Sequence, residues 1–104
     1  MKVFVQLDAR DGATIQDFQT PAGVAEEKLV WKYFSEGYLR EMNFQTIRIG
    51  VVFIFEAESV SHVQEMIEAL PFVKSGLLKT ANIQQLAPFV GLAALFDPVH
   101  LISA

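Results

Sequence analysis

The chain has no cysteine, which excludes disulfides, thiolate catalysis and thiolate metal sites together. Its apolar residues nowhere run to the roughly 18 needed to span a membrane. The opening MKVFVQLDA, with a lone lysine, is too short and too alternating for a signal sequence. Cations are scarce: eight Lys and Arg stand against twelve Asp and Glu, a net charge of −4, and like charges form no run. Sequence-independent nucleic-acid binding relies on clustered cations that displace counterions, so it is not expected. The two histidines, His62 and His100, lack acids at ligand spacing, so no metal site is expected, and no glycine-rich phosphate loop occurs. A Ser-His-Asp unit finds no support in the spacing either. The expectation is a cytoplasmic domain with no nucleic-acid or membrane partner.

Apolar surface is what the chain has in plenty. Of its 104 residues 52% are apolar, nine of them phenylalanine, which is rich for one small domain spanning 1–104. An apolar patch of that origin is expected to meet a second copy, giving a homodimer or a higher homo-oligomer.

Hydrophobic periodicity orders the elements. Val3, Val5 and Leu7 alternate with Phe4, Gln6 and Asp8, so Lys2 to Asp8 reads as a strand. Ala9 to Gln19, with Asp11-Gly12, reads as a loop. Thr20-Pro21 offers an N-cap hydroxyl and then proline at the first helical position, and the helix is expected to run to about Glu36, closed by Gly37. Tyr38 to Gln45 and Gly50 to Ala57 are extended runs that should pair as a hairpin. Ser59 or Ser61 caps a second helix whose stripe is Val60, Val63, Met66, Ile67 and Leu70, and Pro71 ends it. Leu77 to Leu86 makes a fourth strand. An apolar tail from about residue 90 to 104 is expected to pack against the fold or a partner. The order βαββαβ is the ferredoxin-like α+β arrangement, a four-stranded antiparallel sheet with two helices on one face.

Chemistry is sought on the first helix. On a wheel of about 100° per residue, Leu29, Val30, Trp31, Tyr33 and Phe34 fill an apolar arc of roughly 200°. Glu26 falls inside it between Tyr33 and Val30, and Glu27 between Phe34 and Trp31. A carboxylate facing a core is costly unless paired or protonated, and desolvation moves its pKa toward what a general acid or base needs. Both are candidate catalytic residues, with the structural alternative that they reach solvent or an arginine. Trp31 and Tyr33 are candidate pocket walls or plain core. Arg40 shares strand parity with Met42 and Phe44, so its fork of donors suits a substrate carboxylate or a helix glutamate. Arg48, in the hairpin turn, is a candidate for substrate binding or a loop charge. His62 falls outside the apolar stripe and is expected at the surface.

Gly37-Tyr38-Leu39-Arg40, Arg48 in the hairpin, Glu58-Ser59 and Ala69-Leu70-Pro71-Phe72 together resemble the muconolactone isomerase family. That pattern lies over Gly37 to Phe72 without a gap. Glu41 stands where a histidine is expected in the isomerases, and Lys74-Ser75-Gly76-Leu77 lengthens the link into the last strand. The resemblance implies a dimeric α+β barrel with a pocket between sheet and helices. It also implies chemistry on a small organic acid or lactone without cofactors. On that reading a helix glutamate shuttles a proton and Arg40 holds the anion. The alternatives are a cofactor-free oxygenase of the same fold, with Trp31, Tyr33 and the phenylalanines lining its pocket, and a non-catalytic binding or oligomerisation module.

Overall fold

The computed structural model describes residues 1–96. His100 and the tail from 97 onward lie outside the described residues. Strand β1 spans Lys2–Ala9, helix α1 Pro21–Ser35, β2 Leu39–Phe44, β3 Gly50–Glu56, α2 Val60–Glu68, the one-turn α3 Pro71–Lys74 and β4 Leu78–Leu86. Short 3₁₀ turns occupy Ile15–Phe18, within the expected loop, and Val90–Phe96. The strands form one antiparallel sheet in the order β2-β3-β1-β4, the ferredoxin-like arrangement.

Alternation along β1 explains its central place. Val3, Val5 and Leu7 are fully buried and lie opposite Phe55, Phe53 and Val51 of β3. On that face sit Tyr33 of α1, Val63, Met66 and Ile67 of α2, and Leu70. Phe55 has no exposed surface, and the Tyr33 ring meets it edge-on at 6.3 Å. Truncation of such a ring to alanine typically costs about 3–5 kcal/mol. The other face of the sheet carries Phe4, Val52 and Ile54, each partly buried, among Gln6, Asp8 and Asn43.

The helix ends follow from local chemistry. Gly37, at φ +86, takes the left-handed position after α1, where Gly37 N–H donates to Phe34 O and Tyr38 N–H to Tyr33 O, closing a Schellman motif. Of the two candidate serines it is Ser59 that caps α2, its Oγ accepting from His62 N at 3.1 Å. Pro71 does more than end α2. Leu70 is extended, and Pro71 then opens α3 at a position where its missing N–H costs nothing, so that Phe72 carries the first free amide of that turn.

Strand β2 departs from simple alternation. Leu39 lies opposite Phe55 and Met42 opposite Phe53, so three steps on β2 match two on β3, with the register shift falling between Leu39 and Glu41. Arg40 is the extra residue of this bulge.

At Gly50 the backbone of β3 comes so close to β1 that a Cβ there would collide with the Leu7 carbonyl and the Gln45 side-chain amide. Gly50→Ala is therefore expected to lower stability by about 1–3 kcal/mol, the usual cost of forcing atoms into a filled site. Urea unfolding checks this, and an unchanged midpoint would refute the close approach.

Candidate functional site

Helix α1, the Ile15–Phe18 turn and the β2–β3 hairpin surround an open cleft of about 1020 Å³. Its walls are apolar: Val30, Trp31 and Phe34 on the helix side, Met42, Phe44 and Ile47 on the hairpin side. The wheel of α1 explains why it opens there. Glu26 and Tyr33 are buried and Leu29 and Val30 partly so, whereas Trp31 and Phe34, on the flank of the same arc, are not. Trp31 is 65% exposed and packs against Phe34 at 5.7 Å, and Phe44 across the cleft is 88% exposed.

Glu26 sits where the buried stripe meets the cleft. It is 7% exposed, the one buried charged residue among those described. The first turn of α1 brings it there, because Gly23 lies tight against the Phe18 carbonyl and near the Phe72 ring. Phe72 N–H donates to Glu26 Oε1 at 2.9 Å. Among the described residues no cation pairs with this carboxyl. Oε2 has no hydrogen-bond partner there, yet it is not sealed from solvent. Burial pushes the Glu26 pKa up, against a smaller pull downward from the Phe72 amide. Rings of Phe18 and Phe72, edge-to-face at 5.1 Å, line the cleft beside it.

A polar cluster stands at the hairpin end of the cleft. Gln45 Nε2 donates to Asp8 Oδ1 at 2.7 Å and Gln6 Nε2 to the same oxygen at 3.0 Å, while Arg48 Nη1 lies 3.3 Å from Asp8 Oδ2. These bonds, the two glutamine amides first and then Arg48, hold the Asp8 carboxyl below its ordinary range. Gln45 and Arg48 line the cleft, and the Arg48 side chain is half exposed.

The structure thus brings Glu26, Glu27, Trp31 and Arg48 of the sequence candidates around one space, with Glu27 on its exposed rim. Two others lie elsewhere. Tyr33 is core and not a wall: its hydroxyl donates to Met66 O at 2.8 Å, and its phenol pKa is raised by burial first, then by the charges of Glu26 and Glu36. Arg40 does not line the cleft, because the bulge takes it out of register with Met42 and Phe44, and its Nε donates instead to Gly37 O at 2.7 Å. Sequence reasoning missed Gln45, Asp8 and the Phe72 amide. The alternation of β1 placed Asp8 beside Gln6, but a backbone donor leaves no mark in composition.

A second hollow of about 420 Å³ lies at the other end of the sheet, beside Tyr38, Glu56, Glu58 and His62. His62, expected at the surface, is partly buried there, edge-to-face with Tyr38 at 5.1 Å. Among the described residues no group of three or more His, Asp or Glu is placed to hold a metal ion, and no helix is long and apolar enough to cross a membrane.

No family model and no curated protein matches the chain in sequence. Among solved structures it is similar to 5-chloro-2-hydroxyhydroquinone dehydrochlorinase from Burkholderia phenoliruptrix AC1100, in complex with 2,5-dihydroxybenzoquinone. The TM-score is 0.69 at 20% identity, over 84% of this chain and 94% of that chain. At that identity the likeness is one of fold: the two chains share the ferredoxin-like α+β arrangement.

Proposed function

We propose that the protein is an enzyme that moves a proton on a small cyclic enol, lactone or quinone-like acid held in the cleft, with Glu26 as the acid-base group and without a cofactor. The buried carboxyl carries the reading: Glu26 lines an apolar cleft, and among the described residues a single amide holds one of its oxygens while the other has no hydrogen-bond partner. A structural carboxylate so deeply placed ordinarily has a cation or several donors. Its raised pKa favours a group that must both take and return a proton.

In the ionised form Glu26 takes a hydrogen as a proton from a carbon next to a carbonyl. The C–H electron pair moves into the ring to form an enolate, and Glu26 becomes the neutral acid. Returning the proton at a carbon conjugated with that enolate completes an isomerisation with no net change of atoms. The Arg48 guanidinium at the rim offers charge for the enolate or for a carboxylate of the substrate. Trp31, Phe34 and Phe44 offer flat apolar walls to a ring. The ring compounds named for the similar dehydrochlorinase support that ligand class. Self-association into a homodimer belongs to the same proposal, since Phe4, Val52 and Ile54 lie on a sheet face that a second copy would cover.

With muconolactone in deuterated buffer, the protein is expected to accelerate exchange of the hydrogen next to the carbonyl, followed by NMR. Glu26→Gln should lose about 10²–10⁴-fold of that rate, the usual share of a general base, whereas Glu27→Gln keeps most of it. An unchanged rate in Glu26→Gln sinks the assignment. Oxygen uptake with the same compounds, expected to be nil, would instead mark an oxygenase.

The rate is expected to rise with pH through an apparent pKa above the ordinary 4.5 of a glutamate, and this limb should vanish in Glu26→Gln.

Stability runs the other way. A carboxyl whose folded pKa is raised binds more protons folded than unfolded, so its contribution falls as pH climbs from about 4.5 through the folded pKa. Asp8 and Glu56, both lowered in the fold, act with the opposite sign, losing stability as pH falls. Glu26→Gln should therefore gain on the wild type as pH rises from the ordinary 4.5 of a glutamate through the folded pKa and level off above it, measured by urea unfolding across that range. A difference that does not change with pH would contradict the burial effect.

A further inference from the structure

The amides of the α3 turn can be accounted for one by one. Val73 N–H and Lys74 N–H both donate to Leu70 O, at 3.0 and 2.9 Å. Phe72 N–H donates to Glu26 Oε1 at 2.9 Å. Residue 71 is proline and has no N–H to give. The turn therefore offers Glu26 one donor, where any other residue at 71 would bring a second. Amides of a first helical turn point out of its N-terminal end, which is the end that meets the Glu26 carboxyl. The second oxygen of that carboxyl has no hydrogen-bond partner among the described residues.

Other contacts hold the turn in shape without the proline ring. Leu70 before it is fully buried, and the Phe72 ring meets Phe18 edge-on at 5.1 Å. The far end is tied down by Ser75, whose N–H donates to Pro71 O at 3.0 Å and whose Oγ donates to Phe72 O at 3.2 Å. What only a proline supplies at this position is a missing donor.

That absence bears on the chemistry. Each amide that bonds a carboxylate stabilises the ion, and a carboxylate accepting two or three backbone N–H bonds is a far weaker base than a free one. We propose that Pro71 is a positioning residue of the reaction: by withholding an N–H from the turn that faces Glu26, it leaves the carboxyl held by a single donor and able to accept a proton on its other oxygen. The inference rests on Glu26 being the acid–base group. It adds a residue that does not line the cleft and acts only through Glu26. An N–H at position 71 would satisfy the second oxygen, hold the ion more firmly and make it less ready to take a proton from carbon.

Labelling the glutamate carboxyl carbons with ¹³C, and finding Glu26 by the signal lost in Glu26→Gln, follows its titration by NMR without turnover. In the wild type the Phe72 amide proton should move with that titration. In Pro71→Ala, and likewise in Pro71→Ser, the midpoint should fall by about one pH unit, the usual weight of a hydrogen bond to a charged group. The new amide at position 71 should then move with the same midpoint, and the rising limb of the pH–rate profile should shift down with it. A synthetic full-length chain carrying N-methylalanine at 71 has the alanine side chain without the N–H, and should keep the wild-type midpoint. A loosened turn that simply let water in would lower the midpoint in that chain as well. The proposal is overturned by a wild-type Phe72 amide that ignores Glu26, by an unchanged midpoint in Pro71→Ala and Pro71→Ser, or by an equal fall in the N-methylalanine chain. An unchanged exchange rate in Glu26→Gln would instead remove the acid–base reading, which the titrations do not depend on.

Discussion

Helix α1 carries an apolar arc of roughly 200°, while the sheet and α2 bury only the part of it around Glu26 and Tyr33. The mismatch organises the rest of the molecule. One part of the arc builds the core through Tyr33 against Phe55. The flank bearing Phe34, Glu27 and Trp31 is left over and becomes a wall. Since the β2–β3 hairpin ends in further apolar residues, Phe44 and Ile47, two uncovered surfaces face each other and a cleft results. Glu26 stands at the boundary between them, which is why a single carboxyl is both desolvated and reachable.

That boundary position is maintained at some cost. A carboxylate held by one amide is under-solvated compared with water, where both oxygens are hydrated. Pro71 sharpens the arrangement, because it has no N–H and leaves Phe72 to make the contact alone. More donors would stabilise the ion and lower its basicity. The lone amide fixes the orientation of the carboxyl without offsetting the burial that raises its pKa.

Much of this was legible in the sequence because periodicity carries it. The alternation of Val3, Val5 and Leu7 set the central strand, and the wheel of α1 singled out Glu26 and Glu27 alike as polar residues on an apolar side, of which Glu26 is buried and Glu27 exposed. Placement failed where a local irregularity broke the period. Arg40 was assigned to the face of Met42 and Phe44 by counting in twos, and the bulge between Leu39 and Glu41 made that count wrong by one. Tyr33 illustrates a different difficulty, since arc membership says that a side chain meets apolar surroundings but not whether they are core or cleft. A distant backbone carbonyl on Met66 decided it. The Arg48–Asp8 pair joins residues 40 positions apart, a relation that pairing register supplies and composition does not.

The bulge has a consequence for how the chain tolerates change in length. Because Arg40 has no partner across the ladder, a chain without it would keep Leu39 opposite Phe55 and Met42 opposite Phe53. The cleft-facing and outward-facing rows of β2 would stay as they are. A one-residue loss farther along, at Asn43 for example, would instead exchange the two rows and turn polar side chains onto the apolar wall. Position 40 is thus a buffer for insertions and deletions in an edge strand whose remaining residues cannot shift without inverting the lining of the cleft.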